Sequence, residues 1–166
     1  MKQFILLYLF YMLAAFILVD YEPLRNLLHL DEYYTGSVVY LSAFLINLIN
    51  IPVTVEGIYL HLNSAVMEVK FGCNGLEAIL LYTAAVLAFP ASWKLRTVGV
   101  ILGSSFLQVF NLIRIAILAW VLEYHPTVFP IMHEYITQSI MIAIAFIIFL
   151  IYLQNINRHE KLKNRT

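Results

Sequence analysis

Four long stretches without a charged side chain constrain this sequence more than any other feature: residues 4–19, 76–89, 98–122 and 135–153, broken only by Glu77 and Arg114. A helix crossing the hydrocarbon core of a bilayer needs about 20 apolar residues, somewhat fewer where the ends snorkel. The chain is 62% hydrophobic and 12% charged, against about 25% charged in an average soluble domain. It therefore reads as an all-α integral membrane protein of about four transmembrane helices. Its 166 residues suit one membrane-embedded domain over residues 1–157 and a basic tail over 158–166. Zero formal net charge gives nucleic-acid binding no electrostatic support.

Lys2 precedes the first run as in a secretory leader, but no small-residue cleavage site closes it and Asp20-Tyr21-Glu22 follows directly, so an uncleaved anchor is expected. Orientation follows the Lys/Arg bias of short loops. Lys94 and Arg96 flank one loop, and Arg158, Lys161, Lys163 and Arg165 fill the tail, which puts both, with Lys2, on the cytoplasmic side. Residues 20–35 carry four acids and one Arg, as suits the outer side, where the loop 123–134 also belongs.

Residues 36–51 resist this alternation, being apolar but short, with Asn47 and Asn50 near their end. If they spanned, the Lys94/Arg96 loop would fall outside, against the charge rule. An interfacial or re-entrant helix returning to the outer face satisfies the rule, and a short span with inverted charges is the alternative. After Pro52 the period changes to two: Val53, Val55, Ile58, Leu60 and Leu62 alternate with polar neighbours, and after Asn63-Ser64 so do Met67 and Val69. This predicts a small β-hairpin in water at the outer face, with Gly57 as a bulge or bend.

The hairpin leads into Gly72-Cys73-Asn74-Gly75, which holds the only cysteine of the chain. One cysteine excludes a disulfide framework and any multi-cysteine metal site, and no metal or other cofactor is expected. Asn74 with Glu77 three residues on has the spacing of a capping box, with Asn74 as N-cap. Cys73 would then precede a helix N-terminus, whose dipole favours a thiolate, while a small buried hydrophobe is the bland reading. Ser104, Gln108, Asn111 and Arg114 fall on one helix stripe, which must face protein or water and not lipid. A structural Arg tying helices together is the alternative to a fixed cation for an oxyanion or thiolate. Among five histidines, His133 heads the last apolar run and His125 precedes Pro126 in the turn before it. His133 is the better placed of the two to overhang the Cys73 turn.

A thiol, an imidazole and a guanidinium together allow acyl transfer. The thiolate attacks a carbonyl, the imidazole carries the proton, and the guanidinium offsets the oxyanion. The competing readings are a non-enzymatic membrane assembly or scaffold protein held by a structural Arg114, and a small transporter subunit, which lacks an obvious inverted repeat.

Residues 45–77 (LINLINIPVTVEGIYLHLNSAVMEVKFGCNGLE) with Cys73-Asn74-Gly75, the run Asn111-Leu112-Ile113-Arg114, and His133 ahead of the next span together resemble the exosortase/archaeosortase family of membrane transpeptidase-like proteins. The chain departs from the pattern with Asn74 where Ser is frequent and with no Gly in residues 135–139, and its length resembles the compact exosortase H form. The resemblance implies a membrane cysteine endopeptidase/transpeptidase at the outer face of a bacterial plasma membrane, with the lipid bilayer as its setting. Its substrates would be proteins with a C-terminal sorting signal of motif, hydrophobic helix and basic tail. Cys73 would be nucleophile, His133 acid/base and Arg114 the catalytic arginine, with Asn74, Gly75, Glu77, Gln108 and Asn111 binding substrate or supporting the site.

Overall fold

A computed structural model describes residues 2–21 and 30–163. Residues 22–29, half of the acidic segment 20–35 and His29 with them, and the end of the basic tail lie outside the described residues. The elements run in order as α1 (Lys2–Asp20), a π-helical turn (Leu30–Thr35) continuing into α2 (Gly36–Leu48), three short strands β1 (Thr54–Glu56), β2 (Tyr59–His61) and β3 (Val66–Glu68), then α3 (Leu76–Ala88) and α4 (Trp93–Tyr124). A helical turn (Phe129–Ile131), opened by Pro130 at a position whose missing N–H costs nothing, and a second π-turn (Met132–Ile136) lead into α5 (Thr137–Lys163).

Two helical stretches, Trp93–Tyr124 and Phe129–Ile156, are long and apolar enough to cross a membrane. Among the described residues these two alone meet that length, and Lys2–Ile17 of α1 and Leu76–Ala88 of α3 are shorter apolar stretches. At about 1.5 Å per residue, the 13 residues of α3 reach about 20 Å. α1 leaves Leu6, Phe10 and Leu13 at least 60% exposed, the all-round apolar surface of a helix that faces lipid.

α4 is the axis of the molecule. Its first half packs against α3, which runs antiparallel to it: Tyr82 of α3 lies against Gly103, and its hydroxyl donates to Gly99 O at 2.9 Å. Gly99 receives the ring of Tyr152 from α5 in the same way, so both glycines serve as sockets for aromatic rings. α1 lies antiparallel to α3, with Phe4 edge-on to Phe89 and Phe16 edge-on to Phe71. α2 packs along the second half of α4 in the same direction: Tyr34, just before α2, bonds Gln108, while Leu48 and Ile49, at its end, lie beside Trp120. Thus α2 and α3, both 13 residues long, start near one another at mid-length of α4 and run to its opposite ends.

The strands correct the expected hairpin. They form a three-stranded antiparallel sheet in the order β1-β2-β3, with Thr54 opposite His61 and Leu60 opposite Met67. Gly57, at φ +61°, forms the β1–β2 turn, the bend and not the bulge of the two forms expected. Leu60 and Met67 point inward and pack with Val39, Ile46, Cys73, Ile115 and Leu118 in one core that joins sheet, α2 and α4. Tyr82, Val86, Leu107, Met141 and Ile156 form a second core among α3, α4 and α5.

Candidate active site

Backbone bonds close the turn after β3. Lys70 O accepts from both Cys73 N at 2.8 Å and Asn74 N at 2.9 Å, and Gly75 follows in the left-handed region at φ +83°. A β-carbon at Gly75 would lie 2.8 Å from Cγ and Nδ2 of Asn111, so this position requires glycine on both counts.

The expected capping box does not form. Gly75, not Asn74, is the N-cap of α3. The Asn74 side chain still satisfies one helix N–H, accepting from Leu76 N at 3.1 Å, and its amide donates to Thr35 Oγ1 at 3.1 Å. Glu77 does not reach back to the cap. It accepts from Gln138 Nε2 at 3.2 Å and so ties α3 to α5. Asn74 thereby joins the beginnings of α2 and α3, and Tyr34 completes the junction by donating to Gln108 Oε1 at 2.8 Å.

Arg114 is 5% exposed and held from two sides. Its Nε donates to Thr137 Oγ1 at 2.9 Å and its Nη1 to Gly72 O at 3.4 Å, which leaves Nη2 without a partner among the described residues. Thr137 Oγ1 in turn donates to His133 O at 3.3 Å. A chain of polar contacts therefore runs from the Cys73 turn through the guanidinium to the π-turn bearing His133. Such single-turn π segments recur at functional sites, and the other one carries Thr35.

Cys73, Arg114 and His133 come from a loop, the middle of α4 and the turn before α5, and all three line one cavity of about 450 Å³. Val66, Met67, Leu122 and Phe129 give it an apolar wall, and Glu68, Lys70, Glu134 and Gln138 supply polar groups. His133 stacks on Phe129 at 5.5 Å between centroids. No hydrogen bond joins the Cys73 thiol to His133 among the described residues. Cys73 is 2% exposed. Burial pushes its thiol above the ordinary range, and the positive charge of Arg114 pulls it partly back.

Of the other residues read from the sequence, Asn74, Gly75, Glu77, Gln108 and Asn111 build the floor and its supports and do not line the cavity. Asn111 is wholly buried with neither carboxamide atom bonded. His125 caps the end of α4 against Trp120, away from the cavity, so the structure separates the two candidate histidines. Thr137 and Thr35 were not selected from the sequence. Thr137 had a signal, since it lies four residues after His133 on the same helical face, whereas Thr35 had none. No group of three or more potential metal ligands occurs among the described residues.

No curated protein and no solved structure matches the chain. Among protein families the match is to the transmembrane exosortases over residues 2–153, nearly the whole of the chain and all of the site just described. The chain belongs to the transmembrane exosortase family, membrane proteins with a role in protein processing.

Proposed function

We propose that this chain is a membrane cysteine endopeptidase or transpeptidase that cleaves proteins bearing a C-terminal sorting signal at the outer face of a bacterial plasma membrane. The observation that carries the reading is the convergence of Cys73, Arg114 and His133, from three separate elements, on one cavity. Burial keeps the resting thiol protonated, so attack needs a base, and His133 is the imidazole that shares the cavity. In the forward half-reaction His133 takes the thiol proton as Cys73 Sγ bonds to the scissile carbonyl carbon. The carbonyl oxygen becomes an oxyanion facing Arg114, whose Nη2 is free for it. The carbon–nitrogen bond then breaks, His133 returns its proton to the leaving amine, and a thioester remains on Cys73. Water or an acceptor amine attacks the thioester carbon and gives its proton to His133; the carbon–sulfur bond breaks, the acyl group leaves as acid or amide, and His133 returns the proton to Cys73 Sγ.

The substrate's own apolar helix would lie in lipid beside the spans, with its basic tail on the side of Lys94 and Arg96. The test is co-expression with a reporter ending in an extended linker, an apolar helix and a Lys/Arg tail. Cys73→Ala, Arg114→Ala and His133→Ala should each abolish trimming while the membrane protein still accumulates. Trimming that survives Cys73→Ala refutes the proposal. A membrane-impermeant maleimide should label Cys73 in intact spheroplasts, and labelling only after lysis refutes the orientation.

A further inference from the structure

β3 has a neighbour on one side only: the strand order ends with it, and it pairs with β2 alone. The register decides which of its main-chain groups are used. Leu62 N donates to Ala65 O and Val69 N to Ile58 O, so the alternate residues 65, 67 and 69 point their N–H and C=O groups at β2. Val66 and Glu68 therefore direct theirs to the open edge, where no described residue pairs with them. An open edge is a template for another extended chain, and proteins normally blunt or cover it. This edge is instead placed where Val66, Met67 and Glu68, then Lys70, Phe71 and Gly72, line the cavity up to Cys73.

We propose that the open edge of β3 binds the substrate's scissile segment as an added strand, which the main chain of Val66 and Glu68 holds in register while its next residues reach Cys73. The inference rests on the cysteine-protease reading above and adds how that enzyme grips its substrate. The occupant is an extended polypeptide because the unpaired groups at residues 66 and 68 repeat every second residue, as does the bonding edge of a partner strand. Helical substrate would keep its own N–H and C=O groups internally paired and leave this edge unanswered. Met67 points into the protein core, so the outward main-chain groups of Val66 and Glu68 carry the grip. Sequence preference then falls to the pockets nearer Cys73.

The test separates the main chain from the side chain. Glu68→Pro removes the outward N–H and breaks no bond within the sheet, a position where proline is tolerated. Glu68→Ala keeps the N–H and removes the carboxylate. Glu68→Pro should slow trimming of the reporter about tenfold, as loss of one buried hydrogen bond implies. Glu68→Ala, which also frees Lys70 from its 3.1 Å ion pair, should still trim severalfold faster than Glu68→Pro, and both should alkylate at Cys73 with iodoacetamide as the parent protein does. Equal trimming by Glu68→Pro and the parent refutes strand addition, and so does an equal loss in Glu68→Ala, which would place the contact in the side chain. Should Glu68→Pro fail to accumulate, amide hydrogen exchange decides: in Cys73→Ala protein bound to uncleaved reporter, the Val66 and Glu68 amides should be protected, and unchanged exchange refutes the proposal. Trimming by Cys73→Ala would instead overturn the enzyme reading and leave the edge without this role.

Discussion

Thr137→Val isolates the contact that fixes the guanidinium. Thr137 Oγ1 accepts from Arg114 Nε at 2.9 Å and donates to His133 O at 3.3 Å, and valine keeps the branched shape while deleting both bonds. Two ranges bound the effect. Hydrogen bonds to charged groups contribute about 1.5–3 kcal/mol in soluble proteins, whereas interhelical bonds in a bilayer protein average about 0.6 and reach about 1.7 kcal/mol. Arg114 is a cation with 5% exposure and retains only the longer bond to Gly72 O, at 3.4 Å, once Thr137 is gone. The upper end of the membrane range therefore applies, about 1.5 kcal/mol. If the guanidinium acts on the oxyanion, that loss falls on the transition state and lowers the trimming rate about tenfold, chiefly in kcat. The assay is the rate of reporter cleavage by purified protein in proteoliposomes, with Thr137→Ser as rescue because it restores the hydroxyl alone. A Thr137→Val protein that cleaves as fast as its parent, or a Thr137→Ser protein as slow as Thr137→Val, refutes the positioning argument.

Arg114→Met should raise the pH at which Cys73 becomes alkylated by iodoacetamide. Burial lifts the thiol above its ordinary range and Arg114 opposes that lift, so removing the cation leaves burial alone; a midpoint that stays or falls contradicts this. Gly75→Ala should destabilise the protein by at least about 1–2 kcal/mol from the left-handed backbone alone, with more from overlap with Asn111. Denaturant unfolding in detergent measures it. Asn111→Ala in the Gly75→Ala background should recover part of the loss, because it removes Cγ and Nδ2 at 2.8 Å but keeps Cβ at 3.0 Å.

The three cavity residues were legible because each breaks the pattern around it: a cysteine between glycines, a cation in an apolar run, a histidine ahead of another. Their supports were less so. Asn74 and Glu77 have the spacing of a capping box, but the positive φ of Gly75 moves the cap by one residue and Gln138 takes the Glu77 carboxylate. Thr35 meets Asn74 across 39 residues, and Tyr34 meets Gln108 across 74. No local period encodes such pairings. The sheet was read as a hairpin because three-residue strands give too little alternation to show that the bend at Gly57 divides one run into two strands. The polar stripe on α4 was read as facing protein or water, but not as a ladder in which three of four rungs find separate protein partners, Thr83 for Ser104, Tyr34 for Gln108 and Thr137 for Arg114, while Asn111 is buried without one.

The segment 36–51 resisted simple alternation because α2 covers only one half of α4, from beside Gln108 to beside Trp120. α3 covers the other half in the opposite direction. Trp93 and Lys94 mark one end of α4 and Trp120 and Tyr124 the other, residue types that anchor helix ends at membrane interfaces. Arg114 lies ten residues before Tyr124, about 15 Å along the helix, and the Gly72 carbonyl is bonded to it. Measured along α4, the irregular backbone of residues 70–75 therefore lies between its Trp93 and Tyr124 ends, and lipid at that level would leave its polar groups unsatisfied. Protein satisfies them instead: Lys70 O by two N–H groups, Gly72 O by Arg114, Asn74 by Thr35 and Leu76. Two half-length helices beginning at one point are the arrangement that makes room for this turn. A full-length helix in place of either would fill the level of the cavity that Cys73, Arg114 and His133 line.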